Sequence, residues 1–342
     1  MPEDRAVPPL RIAVFGAGSI GCRLGGALTA AAAVTLIGRP AAMAELDRTG
    51  LTLTGPGGLR TEARPATAVD ASAAAGADYV LVTVKSADTA DAARLLAPHL
   101  DDRTTVISFQ NGLHNARVLA EALPGRRVLA GMVPYNVVRS GPGAFHQGTA
   151  GRLMLERADA AEPFAAAART AGLPVELRGD MPRVQAAKLL MNLNNAVNAL
   201  SGRPLREQLG SRPYRLVLAR CQREGLAAFR AAGLAPARLS PVPARWMPAV
   251  LGLPDALFRR IAAASLRVDA QARSSMWEDL RRGRRTEVDS LQGEVLALAA
   301  RHGLAAPANR RLLELVRAAE SADAPPSWSG PDLLAALDGQ DG

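Results

Sequence analysis

From Arg11 the chain reads RIAVFGAGSIG, a short apolar, β-branched run that breaks into glycines and leads into helical periodicity from about Ile20 to Ala32. A second apolar run, Val34 to Ile37, ends at Gly38 and Arg39 and completes a strand–helix–strand unit. Strand-like runs at Tyr79 to Val84, Thr104 to Phe109 and Arg127 to Met132 alternate with helical segments near Asp88 to Leu96 and Asn115 to Leu123. Alternation of this kind predicts a mostly parallel sheet covered by helices on both faces. Within it, LTLTGPGGLRTEARP predicts a β-hairpin turning at GPGG, and GPGAFHQG near 141–148 predicts another turn.

After a last expected strand at Leu173 to Leu177 the period changes, and helical patterning continues almost without strands. The change places a domain boundary near Gly179 and Asp180. A long helix is expected from about Pro182 to Leu200 and another near Tyr214 to Ala232, followed by a proline-rich connection from Leu234 to Pro254. Further helices are expected at about 256–282, 286–302 and 308–320. In the middle one, Val288, Leu291, Val295 and Leu298 form one apolar stripe, and Gly303 and Pro307 stop it. The expected organisation is a flexible leader over 1–10, an α/β domain over 11–180, an all-α domain over 181–322 and a loosely held tail over 323–342, the two domains sharing a cleft.

Composition narrows the class. The chain has 342 residues, 48% hydrophobic and 21% charged, and no apolar run approaches the roughly 20 residues of a membrane span. The first ten residues lack the apolar core of a signal peptide. Cys22 and Cys221 lie far apart without CxxC spacing, which fits a reducing, cytoplasmic setting. His99, His114, His146 and His302 are scattered without metal-ligand spacing. A formal charge of +9 would suit nucleic acid, but the arginines are interspersed with acids and aromatics make up only 4%. A small anionic ligand fits better. Of 41 basic residues only Lys85 and Lys188 are lysines. In such a background a lysine invites the question of what arginine could not supply: a compact ammonium, or a proton that can be given up.

Gly16, Gly18 and Gly21 have GxGxxG spacing between a strand and a helix, with Ser19 and Ile20 inside the turn. Backbone N–H groups and the helix dipole can meet a pyrophosphate there, which predicts a Rossmann-type, doubly wound sheet that binds a nicotinamide dinucleotide. NAD-binding proteins place an acid at the end of the second strand for the ribose 2′-OH. This chain has Gly38 and Arg39 there and no carboxylate before Glu45, so NADPH/NADP is the expected cofactor. Lys85, in VLVTVKSAD, and Asn111, in SFQNG, follow the next two main strands at the ends where such sheets bind ligands.

In VQAAKLLMNLNNAVNAL, Lys188, Asn192 and Asn195 form one polar stripe at i, i+4 and i+7, with Leu189, Leu193, Val197 and Leu200 on the other side. Four of the eight asparagines lie between 192 and 198. Such a stripe needs either water or a ligand. A desolvated lysine suits carbonyl reduction, because a developing alkoxide needs a nearby cation and then a proton. Glu287, in RRTEVD, is the candidate carboxylate to orient it.

With these residues in view, the sequence resembles the ketopantoate reductase family, whose members reduce 2-dehydropantoate to pantoate with NADPH, a step of pantothenate and coenzyme A biosynthesis. The likeness covers nearly the whole chain through GAGSIG, VKSAD, FQNG, KLLMN and SSMWEDLRRGRRTEVDSLQG. It implies Lys188 as proton donor and Glu287 as its partner and a contact of substrate and cofactor. It also implies Asn192 and Asn111 as holding substrate and cofactor, Ser275 as touching the substrate carboxylate, and Lys85 and Arg39 as cofactor contacts. Asp279 matches a family acid and reads as structural. Familiar members carry another asparagine eight residues after the lysine; here that place is Ala196, flanked by Asn195 and Asn198, and the stretch 234–258 is longer than a minimal member needs.

The resulting expectation is a cytoplasmic, NADPH-dependent 2-oxo acid reductase with a small-molecule substrate, no nucleic-acid or membrane partner and an architecture compatible with a homodimer. Two alternatives stand beside it. One is the same fold acting on another 2-oxo acid, a hydroxyacid or an imine; the other is a non-catalytic NADP(H)-sensing protein, which would have no need of a proton donor.

Overall fold

The computed structural model describes residues 9–261, 272–324 and 326–338. Most of the expected leader, and residues 262–271 of the helix expected over 256–282, lie outside them. The chain divides into two compact units: the residues through Gln110 with His114–Met181, and Asn111–Leu113 with the residues from Pro182 onward.

The first unit runs β1 (Arg11–Phe15), α1 (Ser19–Leu28), β2 (Ala33–Ile37), α2 (Pro40–Thr49), β3 (Leu51–Gly55), β4 (Leu59–Ala63), β5 (Ala66–Ala68) and β6 (Tyr79–Val82). It continues through α3 (Thr89–Leu96), β7 (Thr105–Ser108), α4 (Asn115–Ala122), β8 (Arg127–Met132), β9 (Val137–Gly141), β10 (Ala144–Gln147), β11 (Leu153–Glu156), α5 (Glu162–Thr170) and β12 (Val175–Arg178). The main sheet has the order β12-β11-β8-β7-β6-β1-β2-β5. Its pairings are parallel except β8 with β11.

Period-two alternation decides which helices cover which face. Ile12, Val14, Tyr79, Leu81 and Ile107 pack with residues of α1, α2 and α5. Ala13, Val80, Val82 and Val106 point the other way, toward α3 and α4. The doubly wound, mostly parallel sheet foreseen from the alternation is what forms. The expected hairpin is β3–β4, paired antiparallel, with Gly57 and Gly58 at φ 72° and 79° in its turn. The turn near 141–148 carries a strand as well, since β10 pairs antiparallel with β9 and parallel with β3, which gives a second sheet of order β4-β3-β10-β9.

The second unit is all helical among the described residues: α6 (Met181–Asn192), α7 (Asn194–Ser201), α8 (Leu205–Gly210), α9 (Arg212–Ala231), α10 (Met247–Leu251), α11 (Asp255–Ile261), α12 (Ser275–Arg281), α13 (Val288–Arg301), α14 (Pro307–Glu320) and α15 (Gly330–Asp338). Its core gathers Leu190, Leu193, Val197, Val217, Phe229, Leu291, Val295, Leu312 and Val316.

Four expectations are corrected here. The helix expected over 182–200 is two, because at Leu193 the backbone carbonyl is engaged from outside the helix by Nε2–H of the buried Gln292 on α13 (3.0 Å). The helix expected over 256–282 is not continuous: Ser274 has extended backbone and its hydroxyl accepts the Trp277 N–H, starting α12 afresh. The proline-rich connection contains α10, with Pro248 in its first turn, where a missing N–H costs nothing. The tail is not loose over 326–338. There Leu333 is fully buried, the Tyr214 hydroxyl donates to the Trp328 carbonyl (2.7 Å), and Trp328 N–H donates to the Leu200 carbonyl (2.9 Å).

Candidate active site

In the first unit the glycine turn is built by close approach. Gly16 has φ 111°, and a Cβ there would stand 2.7 Å from the Val84 nitrogen, so backbone conformation and space both demand glycine. At Gly21 a Cβ would meet the Gly16 carbonyl and stand 2.7 Å from Thr83 Oγ1, whose hydroxyl donates to that carbonyl (2.7 Å). Gly18 differs, since nothing lies within 4 Å of where its Cβ would be. It is the N-cap of α1 and provides no side-chain cap; Ser19 and Ile20 open the helix, and its first turn holds no acid. Open space beside uncapped N–H groups at a helix start is what a phosphate needs.

Arg39 is exposed and stands one residue beyond Gly38, as the N-cap of α2, whose first turn also lacks an acid. Glu45, the first carboxylate after β2, is committed elsewhere: it accepts from Arg139 Nη2 (2.5 Å) and from the Gly143 N–H (3.0 Å). Lys85 is half-buried at the start of a short 3₁₀ turn, Ser86–Asp88. A buried polar network supports that turn. Ser108 Oγ donates to Gln110 Oε1 (3.0 Å), and Gln110 Nε2 donates to the Val84 carbonyl (3.1 Å) and Thr89 Oγ1 (2.7 Å). Thr89 Oγ1 in turn donates to Asn115 Oδ1, and Asn115 Nδ2 donates to Ser86 Oγ (3.1 Å). The sequence reading did not single out Gln110, Thr89 or Asn115; the only available signal was a glutamine between a buried strand and SFQNG's asparagine.

The second unit brings three of the singled-out residues together. Asn192 Nδ2 donates to Asn111 Oδ1 (3.0 Å), and Asn111 Nδ2 donates to Glu287 Oε2 (3.1 Å). Glu287 is the N-cap of α13. Lys188, one helical turn before Asn192 on α6, is half-buried, and burial lowers its pKa from 10.5 to about 8. Such an ammonium gives up its proton far more readily than an exposed one, and burial alone accounts for the shift.

The asparagines divide by role. Asn194 makes a reciprocal amide pair with Gln208 (3.2 Å each way). Asn198, fully buried, accepts from the Ser274 N–H (2.8 Å) and donates to the Arg203 carbonyl (2.9 Å). Both hold the unit together. Asn195 is half-buried, and its backbone carbonyl accepts from Ser274 Oγ (3.2 Å). Ser275 is exposed as the first residue of α12, beside the buried cap Ser274, and Asp279 is half-buried in the same helix. Ala196, where the resemblance would put another asparagine, is fully buried in the apolar core. No group of three or more His, Cys, Asp or Glu side chains among the described residues could hold a metal ion.

A doubly wound sheet with a phosphate-ready glycine turn, followed by an all-helical unit bearing a desolvated lysine and an asparagine–glutamate chain, defines an oxidoreductase of the dinucleotide-binding class. Residues 12–160 match the family model for ketopantoate reductase PanE/ApbA, and residues 180–320 match the model for its C-terminal part. A 2-dehydropantoate 2-reductase of Halobacterium salinarum is 34% identical, over 91% of this chain and 99% of that protein. The crystal structure of a PanE/ApbA family ketopantoate reductase from Ralstonia eutropha JMP134 superposes with a TM-score of 0.78 at 32% identity, over 91% of this chain and 98% of that one. A D-mandelate dehydrogenase with NADH and anilino(oxo)acetate shares the fold, with a TM-score of 0.77 at 20% identity over 91% and 98% of the two chains. The chain belongs to the ketopantoate reductase family.

Proposed function

We propose that this protein reduces 2-dehydropantoate to pantoate with NADPH. Bound NADPH would supply the hydride that converts the C2 carbonyl to an alcohol. The observation that carries the reading is Lys188, lowered to about 8 by burial, one helical turn from the Asn192–Asn111–Glu287 chain. Lys188 Nζ holds the carbonyl oxygen through its ammonium and passes that oxygen a proton as negative charge develops on it. Asn192 and Asn111 orient substrate and cofactor through their amides, while Glu287 fixes the amide of Asn111 and contacts the bound ligands. Asn195 and Ser275 add polar contacts to the substrate. Gly16, Gly18, Ser19, Ile20 and Gly21 cradle the pyrophosphate, Arg39 pairs with the 2′-phosphate, and Lys85 contacts the cofactor.

The names of the relatives support the substrate, and the absence of an acid at Gly38–Arg39 supports NADPH over NADH. Ala196 favours a second reading, in which a different 2-oxo acid occupies the site, because that position presents no amide. Loss of near-ultraviolet absorbance of NADPH, followed with 2-dehydropantoate against a panel of other 2-oxo acids, tests both. Fastest turnover with 2-dehydropantoate supports the first reading, a bulkier acid turning over faster supports the second, and no oxidation with any of them overturns the reductase assignment.

A further inference from the structure

Arg23 sits on α1 directly after the glycine turn, yet it is only 4% exposed. A buried guanidinium ordinarily faces a carboxylate or a ring of carbonyls, because desolvating the charge is costly. Arg23 has neither among the described residues. Its one hydrogen bond runs from Nε to the neutral Gln147 Oε1 (3.0 Å) at the end of β10. Gln147, 6% exposed, spends its own Nε2–H on the Thr149 carbonyl (2.7 Å), so it can only steady the guanidinium.

On the strand-edge segment beside Gln147 stands Tyr135, 4% exposed: Val137, two residues on, pairs with Gln147, and the Asn136 carbonyl accepts the Gly148 N–H (3.0 Å). The Tyr135 hydroxyl is buried with no protein partner among the described residues. Burial pushes the phenol to about 12, so it remains a neutral donor. The carboxylate of Glu45, which reaches β9 and the turn before β10 from α2, is already bound by Arg139 and the Gly143 N–H. Donors are therefore in excess around a buried positive charge, and the missing group is an acceptor that carries negative charge.

We propose that Arg23 and Tyr135, with Gln147 holding the guanidinium in place, form a binding site for a small monovalent inorganic anion of chloride size inside the sheet-bearing unit. The occupant neutralises Arg23, accepts the Tyr135 O–H and ties α1 to the segment between β8 and β9 and to β10. The site is independent of the reductase reading, and its test needs neither substrate nor cofactor.

Thermal unfolding of the full chain in sodium chloride and in sodium gluconate at matched ionic strength provides that test. The wild type is expected to gain stability with chloride in a saturating manner, reaching a rise of about 5 °C at high occupancy. Tyr135→Phe should need more chloride for a smaller rise, and Arg23→Met should respond equally to both salts. Identical melting of the wild type in the two salts overturns the proposal, as does an Arg23→Met variant that keeps the full chloride response. Should Arg23→Met fail to fold, the chlorine NMR line width of a chloride solution decides on wild type and Tyr135→Phe alone. Broadening by the wild type that weakens in Tyr135→Phe supports the site, and equal broadening by both, or none by the wild type, removes it.

Discussion

Arg215 and Lys188 are two cations drawn into the helical unit, and their surroundings differ in kind. Arg215, fully buried on α9, donates to the carbonyls of Leu251 (3.0 Å), Leu209 (3.0 Å) and Leu253 (2.6 Å). It also pairs with Asp255 (2.9 Å) and stacks on Phe258 with 4.1 Å from Cζ to the ring centroid. Lys188 is desolvated with nothing comparable among the described residues, and burial is what lowers its pKa. A cation that holds a fold is surrounded by acceptors. A cation proposed to release a proton is left short of them.

The sharpest way to break this contrast is to delete each charge. Lys188→Ala should lower kcat by about 10²- to 10⁴-fold while leaving NADPH binding close to wild type. Steady-state kinetics with a cofactor titration reads both, and normal turnover would place the proton donor elsewhere. Arg215→Met should do the reverse. Three carbonyls and Asp255 lose their partner, so urea unfolding should show a loss of about 2–4 kcal/mol, whereas the pH dependence of kcat in the folded enzyme stays unchanged.

A smaller effect is expected from pH. Because the proposed role of Lys188 requires its proton, kcat for reduction should fall as pH rises through about 8, approaching tenfold per pH unit. Stability should move the other way. With the folded pKa near 8 and the ordinary value 10.5, the unfolded chain binds more protons between them, so stability rises with pH across that window. Lys188→Ala should abolish that rise. Exposed Arg39 is a third kind of cation, neither caged nor desolvated, and Arg39→Ser should raise the KM for NADPH by about tenfold with little change for NADH.

Much of the first unit was legible because its signals are local. The glycine turn, the strand–helix alternation and the GPGG hairpin each follow from residues adjacent in the chain. The break at Leu193 was not legible, since its cause is Gln292, far off in sequence, and neither was the burial of Leu333, masked by the prolines and serines before it. Among the candidate site residues, periodicity aligned Lys188 with Asn192, and the family resemblance named Asn111 and Glu287 but set Glu287 beside Lys188; that Glu287 accepts from Asn111 only the structure showed. Sequence could not separate Asn194 and Asn198, which brace the unit, from Asn192, which reaches Asn111, because all three look alike until their partners are in place.

The docked segment around Trp328 has a practical consequence. All three tryptophans, Trp246, Trp277 and Trp328, belong to the helical unit, and the sheet-bearing unit has none. Intrinsic tryptophan emission is therefore a reporter for one half of the molecule. Trp328 is held through its backbone to Tyr214 and Leu200, so detachment of α15 would register as a change in its emission. Loss of the β-sheet would be silent to that signal and visible only by circular dichroism. A gap between the two melting curves would measure how independently the units unfold.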